Sequence, residues 1–342
     1  MKNHVIFFSG GKSSFTVAHL VKERYPRDNI VLYFTDTKWE DDDLYRFIKE
    51  ASDKLQLPML TQSMGINPIQ LMYKQKVLFN SRIGQCSTIL KMKTAADYLK
   101  KNKRPAIHEW RNEQYLKAPF EPSQEGFAEN TTLYFGIGWD EAHREGPIRK
   151  NWQPFNIDMP LIEEVIDNEE VLKLYDIRRP SLYDKGFVHN NCKGRCVKAG
   201  QGHFKNLYEK DPELFAEYKA QEHHLKNYVS AYHYIRKLEV YGFDDDVKEV
   251  YLKDLDECYR DYFNGVATKP KIFVPPDLHD KKYSFMKKSR NGQTGPYQLR
   301  DLEQDILEDA KQLDLFDIGG CSCFVDYSGV EEAEKAACEI GL

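Results

Sequence analysis

The apolar positions fall into a strand, helix, strand, helix alternation from the first residues onward. Residues 5–8 (VIFF) form a short unbroken apolar run, the pattern of a strand buried on both faces. Over residues 15–25, Val17, Leu20 and Val21 recur at helical spacing. Residues 30–34 (IVLYF) read as a second buried strand, and residues 36–57 begin with turn chemistry and continue as an amphipathic helix. A third strand is expected at 59–62, a helix at 88–101 and a further strand at 133–137, with 138–144 in the loop at its end. Residues 103–131 are rich in Pro, Glu and Asn and read as a long surface excursion. The alternation predicts an α/β fold with a doubly wound parallel sheet. From about 151 the pattern changes. An irregular stretch holds Pro154 and Pro160, a helix is expected over 165–178, and 206–263 is mostly helical. Residues 268–300 carry four prolines and a basic cluster, and are expected to be an exposed loop. The chain then ends in GGCSCFVD and a short helix. A boundary near 180 gives an N-terminal α/β domain (1–180) and a smaller, mainly helical, cysteine-bearing region (181–342).

Composition narrows the classes. A chain of 342 residues is long enough to bury a core without staples. The formal net charge of −5 gives no global attraction to nucleic acid, although local basic segments remain candidates. Aromatic residues make up 13% of the chain, with 21 tyrosines, which argues against disorder. The absence of a long apolar run predicts no membrane span, and the early strand predicts no signal peptide. Seven cysteines, an odd count, read as reduced thiols and point to a cytoplasmic setting.

The chemistry concentrates in a few places. Ser9, Gly10, Gly11, Lys12, Ser13 and Ser14 stand between the first strand and the first helix. Glycines there let backbone N–H groups point at one spot, the helix N-terminus adds partial positive charge, and the hydroxyls and Lys12 add donors. This is the anatomy of a phosphate site, and the plainer alternative is a helix cap. Neither GxxxxGK[ST] nor GxGxxG is present. Asp36 and Thr37 end the second strand, where a carboxylate can accept from a ribose or a base, or can cap a helix. Arg144 can hold a phosphate or sulfate bidentately, with Asp140 and Glu141 to orient it or to bind a metal. Cys86 opens a helix with Lys91 five residues on, and Cys192 and Cys196 flank Gly194 in a Gly-bearing turn suited to a metal. A zinc site needs four ligands, for which Cys321, Cys323, His189 and His203 are available; ordinary buried thiols are the alternative. Cys258 and Cys338 read as structural. EDDD (40–43) and DDD (244–246) read as solvated faces or caps, and HLKNYVSAYHYIRKL as core and surface helix. The basic cluster KKYSFMKKSR (281–290) reads as a solvated loop more readily than as a nucleic-acid contact.

SGGKSS resembles the PP-loop, SGGxDS, of the ATP pyrophosphatases. That family includes phosphoadenylyl-sulfate (PAPS) reductases, tRNA thiolation enzymes and enzymes of DNA phosphorothioation. Ser9, Gly10, Gly11 and Ser14 match, and Ser13 stands where the family has Asp. Asp36–Thr37 and GIGWDEAHRE are similar to later family segments. The resemblance covers residues 4 to about 165. It implies binding of ATP with Mg²⁺, cleavage between the α- and β-phosphates, and an adenylylated acceptor, with Lys12, Asp36 and Arg144 as the catalytic candidates. Cys86 and Lys91 match the Cys-Cys-x-x-Arg-Lys segment of iron–sulfur sulfonucleotide reductases, while Ser87 and Leu90 depart from it. The resemblance implies a [4Fe–4S] cluster on Cys86, Cys192 and Cys196, with Cys323 a candidate further ligand and Zn²⁺ the alternative metal. Cys321 or Cys323 is alternatively a persulfide carrier, a cluster ligand or an inert thiol. The implied partners are a cysteine desulfurase and a DNA or tRNA acceptor. Two other readings stand beside this one: a PAPS reductase-like enzyme acting on a sulfonucleotide, and a nucleotide-binding regulatory subunit with a structural metal.

Overall fold

The computed structural model describes residues 1–80, 83–266, 268–274, 283–290 and 293–308. They form two compact units, the first from Met1–Pro68 with Gln85–Cys196 and the second from Ile69–Gly84 with the described part of Val197–Gly320. Cys321, Cys323, Cys338 and the expected tail helix lie outside the described residues.

In the first unit β1 (Asn3–Phe7), α1 (Lys12–Arg24), β2 (Asn29–Thr35), α2 (Asp42–Leu55) and β3 (Met59–Ser63) follow the expected alternation. After α3 (Pro68–Gln75), which falls mostly in the second unit, a π-helical turn (Ser87–Lys93) runs into α4 (Thr94–Lys101). The single helix expected at 88–101 is therefore two geometries in series. Then come β4 (Ile107–Arg111), β5 (Thr131–Tyr134), α5 (Glu145–Asn151), β6 (Asn156–Asp158), α6 (Pro160–Glu163), α7 (Asn168–Leu174) and α8 (Ser181–Asp184). The six strands run β4-β3-β2-β1-β5-β6, all parallel except β4, which pairs antiparallel with β3 at the edge. The excursion read at 103–131 thus contains a strand. β4 is half exposed along its length, so it lacks the apolar run that marks a central strand.

Alternation along β1 and β2 builds two cores. Ile6, Phe8, Ile30, Leu32 and Phe34 face α1 and α2, while Val5, Phe7, Val31 and Tyr33 face α4, Phe127 and Trp152. Each fully buried Val, Leu, Ile or Phe is worth roughly 1.5–3 kcal/mol. The order of strands reverses between β1 and β5, so the sheet is doubly wound, with its switch point at those two carboxyl ends.

The second unit is mainly helical. It holds α9 (Gln201–Lys210), α10 (Pro212–Ile235) and α11 (Asp245–Phe263), then a hairpin of β7 (Met286–Arg290) and β8 (Gln293–Tyr297), and α12 (Leu299–Leu307). The loop expected at 268–300 therefore includes a hairpin among its described residues. The segment HLKNYVSAYHYIRKL lies largely within α10, with Leu225, Tyr228, Val229 and Ile235 in the core. Tyr73 packs among Tyr228, Tyr259, Phe263 and His224. Cys258 is buried, as a structural thiol would be.

Glu222 on α10 is buried and accepts from the N–H groups of Phe285 and Leu299, each at 2.6 Å. It thereby anchors the start of the hairpin and the start of α12. Burial pushes its carboxyl up to about 7 from an ordinary 4.5, against the two N–H groups and Lys226, which favour the charged form. The folded state then holds a proton more tightly than the unfolded chain. The stabilisation is complete below the unfolded value and is lost as pH rises through about 7. The unfolding free energy of the wild type from urea titrations is expected to fall between pH 4.5 and 7, by on the order of 3 kcal/mol. Glu222→Gln should flatten that slope, and a slope that survives the substitution rules Glu222 out as its source.

Candidate nucleotide and thiol site

The loop after β1 is built by close approach. Gly10 takes a left-handed φ of +77°, and a Cβ there would lie 2.9 Å from Leu44 Cγ and 3.0 Å from Ile48 Cγ2 of α2. Gly11 is the N-cap of α1 and makes no side-chain cap bond, and the first turn holds no acidic residue. The partial positive charge of the helix end is therefore not offset within its own first turn. Ser14 is buried and its Oγ donates back to Gly11 O at 2.8 Å. From the far side of the switch point, Gly136 after β5 presses on the loop; a Cβ there would lie 2.8 Å from Ser14 N and 3.0 Å from Ser13 C. Gly136 is a site residue that the sequence reading used only as part of a strand.

Lys12 does not stand open over the loop. Its Nζ bonds Glu169 Oε1 at 2.7 Å and lies 4.7 Å from the centroid of the Tyr183 ring. Arg179 Nη1 shares the same Glu169 oxygen at 3.2 Å. Burial pushes the Glu169 carboxyl up, but Lys12 and Arg179 outweigh it and hold it below the usual range. Residues 178–184 are drawn over this region by Asp43, which accepts from Ser181 N at 2.8 Å and pairs with Arg178 at 2.7 Å.

Asp36 is buried at the end of β2, and its Oδ1 accepts from Lys38 N and from Tyr45 Oη, both at 2.7 Å. The N-cap of α2 is Asp41 instead, accepting from Asp43 N at 2.9 Å. The capping alternative for Asp36 is thereby set aside. Arg144 is buried at the end of the 3₁₀ turn Trp139–Arg144 and pairs with Glu141, one of its two expected partners.

The thiols meet in the same unit. Cys192 and Cys196 are buried and hydrogen-bonded to each other, and Cys86 acts electrostatically on Cys192. The Cys196 bond pulls the Cys192 thiol down, but burial and the Glu40 carboxylate outweigh it, so the thiol is raised. His189, half-buried, is pushed down to about 4 by desolvation and by Lys91. Among the described residues no three His, Cys, Asp or Glu side chains form a group that could hold a metal ion. The three cysteines supply the donor type for a cluster but not a ready-made ligand set.

The residue that joins these parts is Glu40, which the sequence reading placed with a solvated acidic face. Its side chain is 1% exposed and lies 3.5 Å from Lys91 Nζ. Thr37 Oγ1 donates to Glu40 Oε1 at 3.0 Å, and Cys192 N donates to Oε2 at 2.5 Å. Arg195 stacks 3.6 Å above the Trp39 ring, and Asn190 Nδ2 donates to Gly10 O at 3.1 Å. The run EDDD hid this acid, because one Glu directly before a capping Asp looks like any exposed helix start.

A mainly parallel sheet with a Gly-rich turn at its switch point, an Asp-Thr pair after β2 and a helix-borne Cys-Lys pair agrees with the family comparison. Residues 3–114 match the phosphoadenosine phosphosulfate reductase domain. The PAPS reductase-like stretch takes in β1 to β4, the Ser9–Ser14 turn, Asp36, Thr37, Glu40, Cys86 and Lys91. Gly136, Arg144, Cys192 and Cys196 lie beyond the matched residues. No match was found among curated proteins. Among the described residues no helix is long and apolar enough to cross a membrane.

Gly136→Ala is expected to cost about 1–3 kcal/mol in urea unfolding, because its methyl meets backbone rather than a yielding side chain. Gly146→Ala, with nothing within 4 Å of the added methyl, serves as the tolerated comparison. Equal stability of the two variants would show that the β5 end does not pack on the loop.

Proposed function

We propose that the chain is an adenine-nucleotide enzyme of the PP-loop kind, which cleaves ATP between the α- and β-phosphates to activate an acceptor for sulfur transfer. The observation that carries this reading is the Ser9–Ser14 turn at the switch point, with Gly11 making no side-chain cap and no acid in the first turn of α1. Such a turn favours the negative charge that grows on a departing pyrophosphate. Lys12 adds a cation once it exchanges Glu169 for phosphate. Asp36 and Thr37 are the proposed contacts to the nucleoside, Arg144 a contact to an anionic group, and Ser13 replaces a carboxylate that would otherwise draw in Mg²⁺. Cys86, Cys192 and Cys196, with Cys323 as a candidate fourth, are the proposed ligands of a [4Fe–4S] cluster, with Zn²⁺ the alternative. With only the three cysteines as ligands one iron would stay open, and the cluster would then supply a carrier for sulfide; a fourth cysteine would close that position. A cysteine desulfurase is the proposed donor, and a DNA or tRNA the proposed acceptor.

A second reading, a PAPS reductase-like enzyme that acts on an activated sulfonucleotide, is favoured by the matched domain itself. Pyrophosphate release from ATP and sulfite release from PAPS separate the two. Under the first reading, wild-type protein releases pyrophosphate, and Lys12→Ala lowers the rate by about 10²-fold. Sulfite without pyrophosphate would move the assignment to the second. Protein purified without oxygen is expected to hold iron and sulfide that Cys192→Ala removes; zinc in their place would assign the cysteines a structural metal.

A further inference from the structure

We propose that Glu40 is a positioning residue that sets the Asn190–Cys196 turn according to whether the nucleotide site is filled. The inference rests on the proposed nucleotide site and adds a regulation of it. The turn is an unusual piece of backbone: Cys192, Lys193 and Gly194 take consecutive left-handed φ values of +57°, +51° and +75°. Two of the three carry side chains that disfavour this region, so the turn persists only where its surroundings hold it. Glu40 is one holder, accepting from Cys192 N at 2.5 Å.

The same carboxylate accepts from Thr37, whose neighbour Asp36 follows the last residue of β2 at the carboxyl end of the strand. It also faces Lys91, five residues past Cys86, so its two oxygens serve three segments. Arg195 on the Trp39 ring and Asn190 on Gly10 O keep the turn against the same two loops. A ligand that draws on Thr37 or shifts residues 36–40 must therefore alter the acceptor that the Cys192 N–H uses. By reciprocity, a change at the thiols alters nucleotide affinity by the same factor.

Amide hydrogen exchange on the full chain tests this, with and without a non-hydrolysable ATP analogue plus Mg²⁺. In the wild type the analogue is expected to slow exchange at residues 9–14 and also at 190–196, the latter by about fivefold or more. In Glu40→Gln the analogue should still protect 9–14 but no longer change exchange at 190–196. A purely structural role would move the exchange of the turn without removing its dependence on nucleotide. Because Glu40→Gln leaves the buried Lys91 ammonium without that carboxylate, Glu40→Gln/Lys91→Met is the second variant, removing both charges together. Protection confined to 9–14 in the wild type overturns the proposal. So does a nucleotide response at 190–196 that both variants retain. No protection at 9–14 overturns the nucleotide site, and the proposal with it.

Discussion

A single buried carboxylate carries more of the first unit's site than any other group. Glu40 is removed from water, and a charge in that position persists only when its partners replace the lost hydration. Lys91 supplies the counter-charge, and Thr37 and the Cys192 amide each donate to one of its oxygens. The pair is thus not an isolated ion pair, which would contribute little net stability, but the centre of a satisfied network. Breaking one member exposes the others to the same desolvation, which makes the local geometry cooperative.

The Ser9–Ser14 turn depends on a different constraint, steric closeness. Two glycines from different strands allow it. Gly10 lets the chain pass under Leu44 and Ile48, and Gly136 lets the β5 end rest on Ser13 and Ser14. Doubly wound sheets of this kind bind ligands where the two strand ends diverge. Glu169 pairs with Lys12 there and is shared with Arg179, and the Tyr183 ring lies beneath the ammonium. In the second unit a carboxylate plays a comparable structural part by other means. Glu222 takes two amide donors and joins a hairpin and a helix that are adjacent in sequence to α10 through neither end.

Much of the first unit could be read from residue order. The central strands announce themselves because a strand covered on both faces carries an apolar run, as residues 5–7 of β1 and 30–34 of β2 do. The turn at Ser9–Ser14 was legible because Gly, Ser and Lys between strand and helix have few other uses. β4 escaped, since an antiparallel edge strand is half exposed and carries mixed side chains. β6, only three residues long, offers no period to detect. The hairpin at 286–297 was read as loop because charged and small residues dominate it.

What the sequence by itself determined is therefore the local chemistry: the strand–turn–helix start, the alternation that makes a parallel sheet, and the residue types able to hold a phosphate or a soft metal. Hydrophobic period and turn composition act over a few residues, so they survive without knowledge of the fold. Only the tertiary structure decided that Glu40 is buried rather than solvated, that Lys12 is engaged by Glu169, and that Cys86 and Cys192 share one neighbourhood across a hundred residues of chain. Those outcomes depend on which surfaces meet, and burial and pairing energies arise between segments whose separation along the chain carries no signal of their contact.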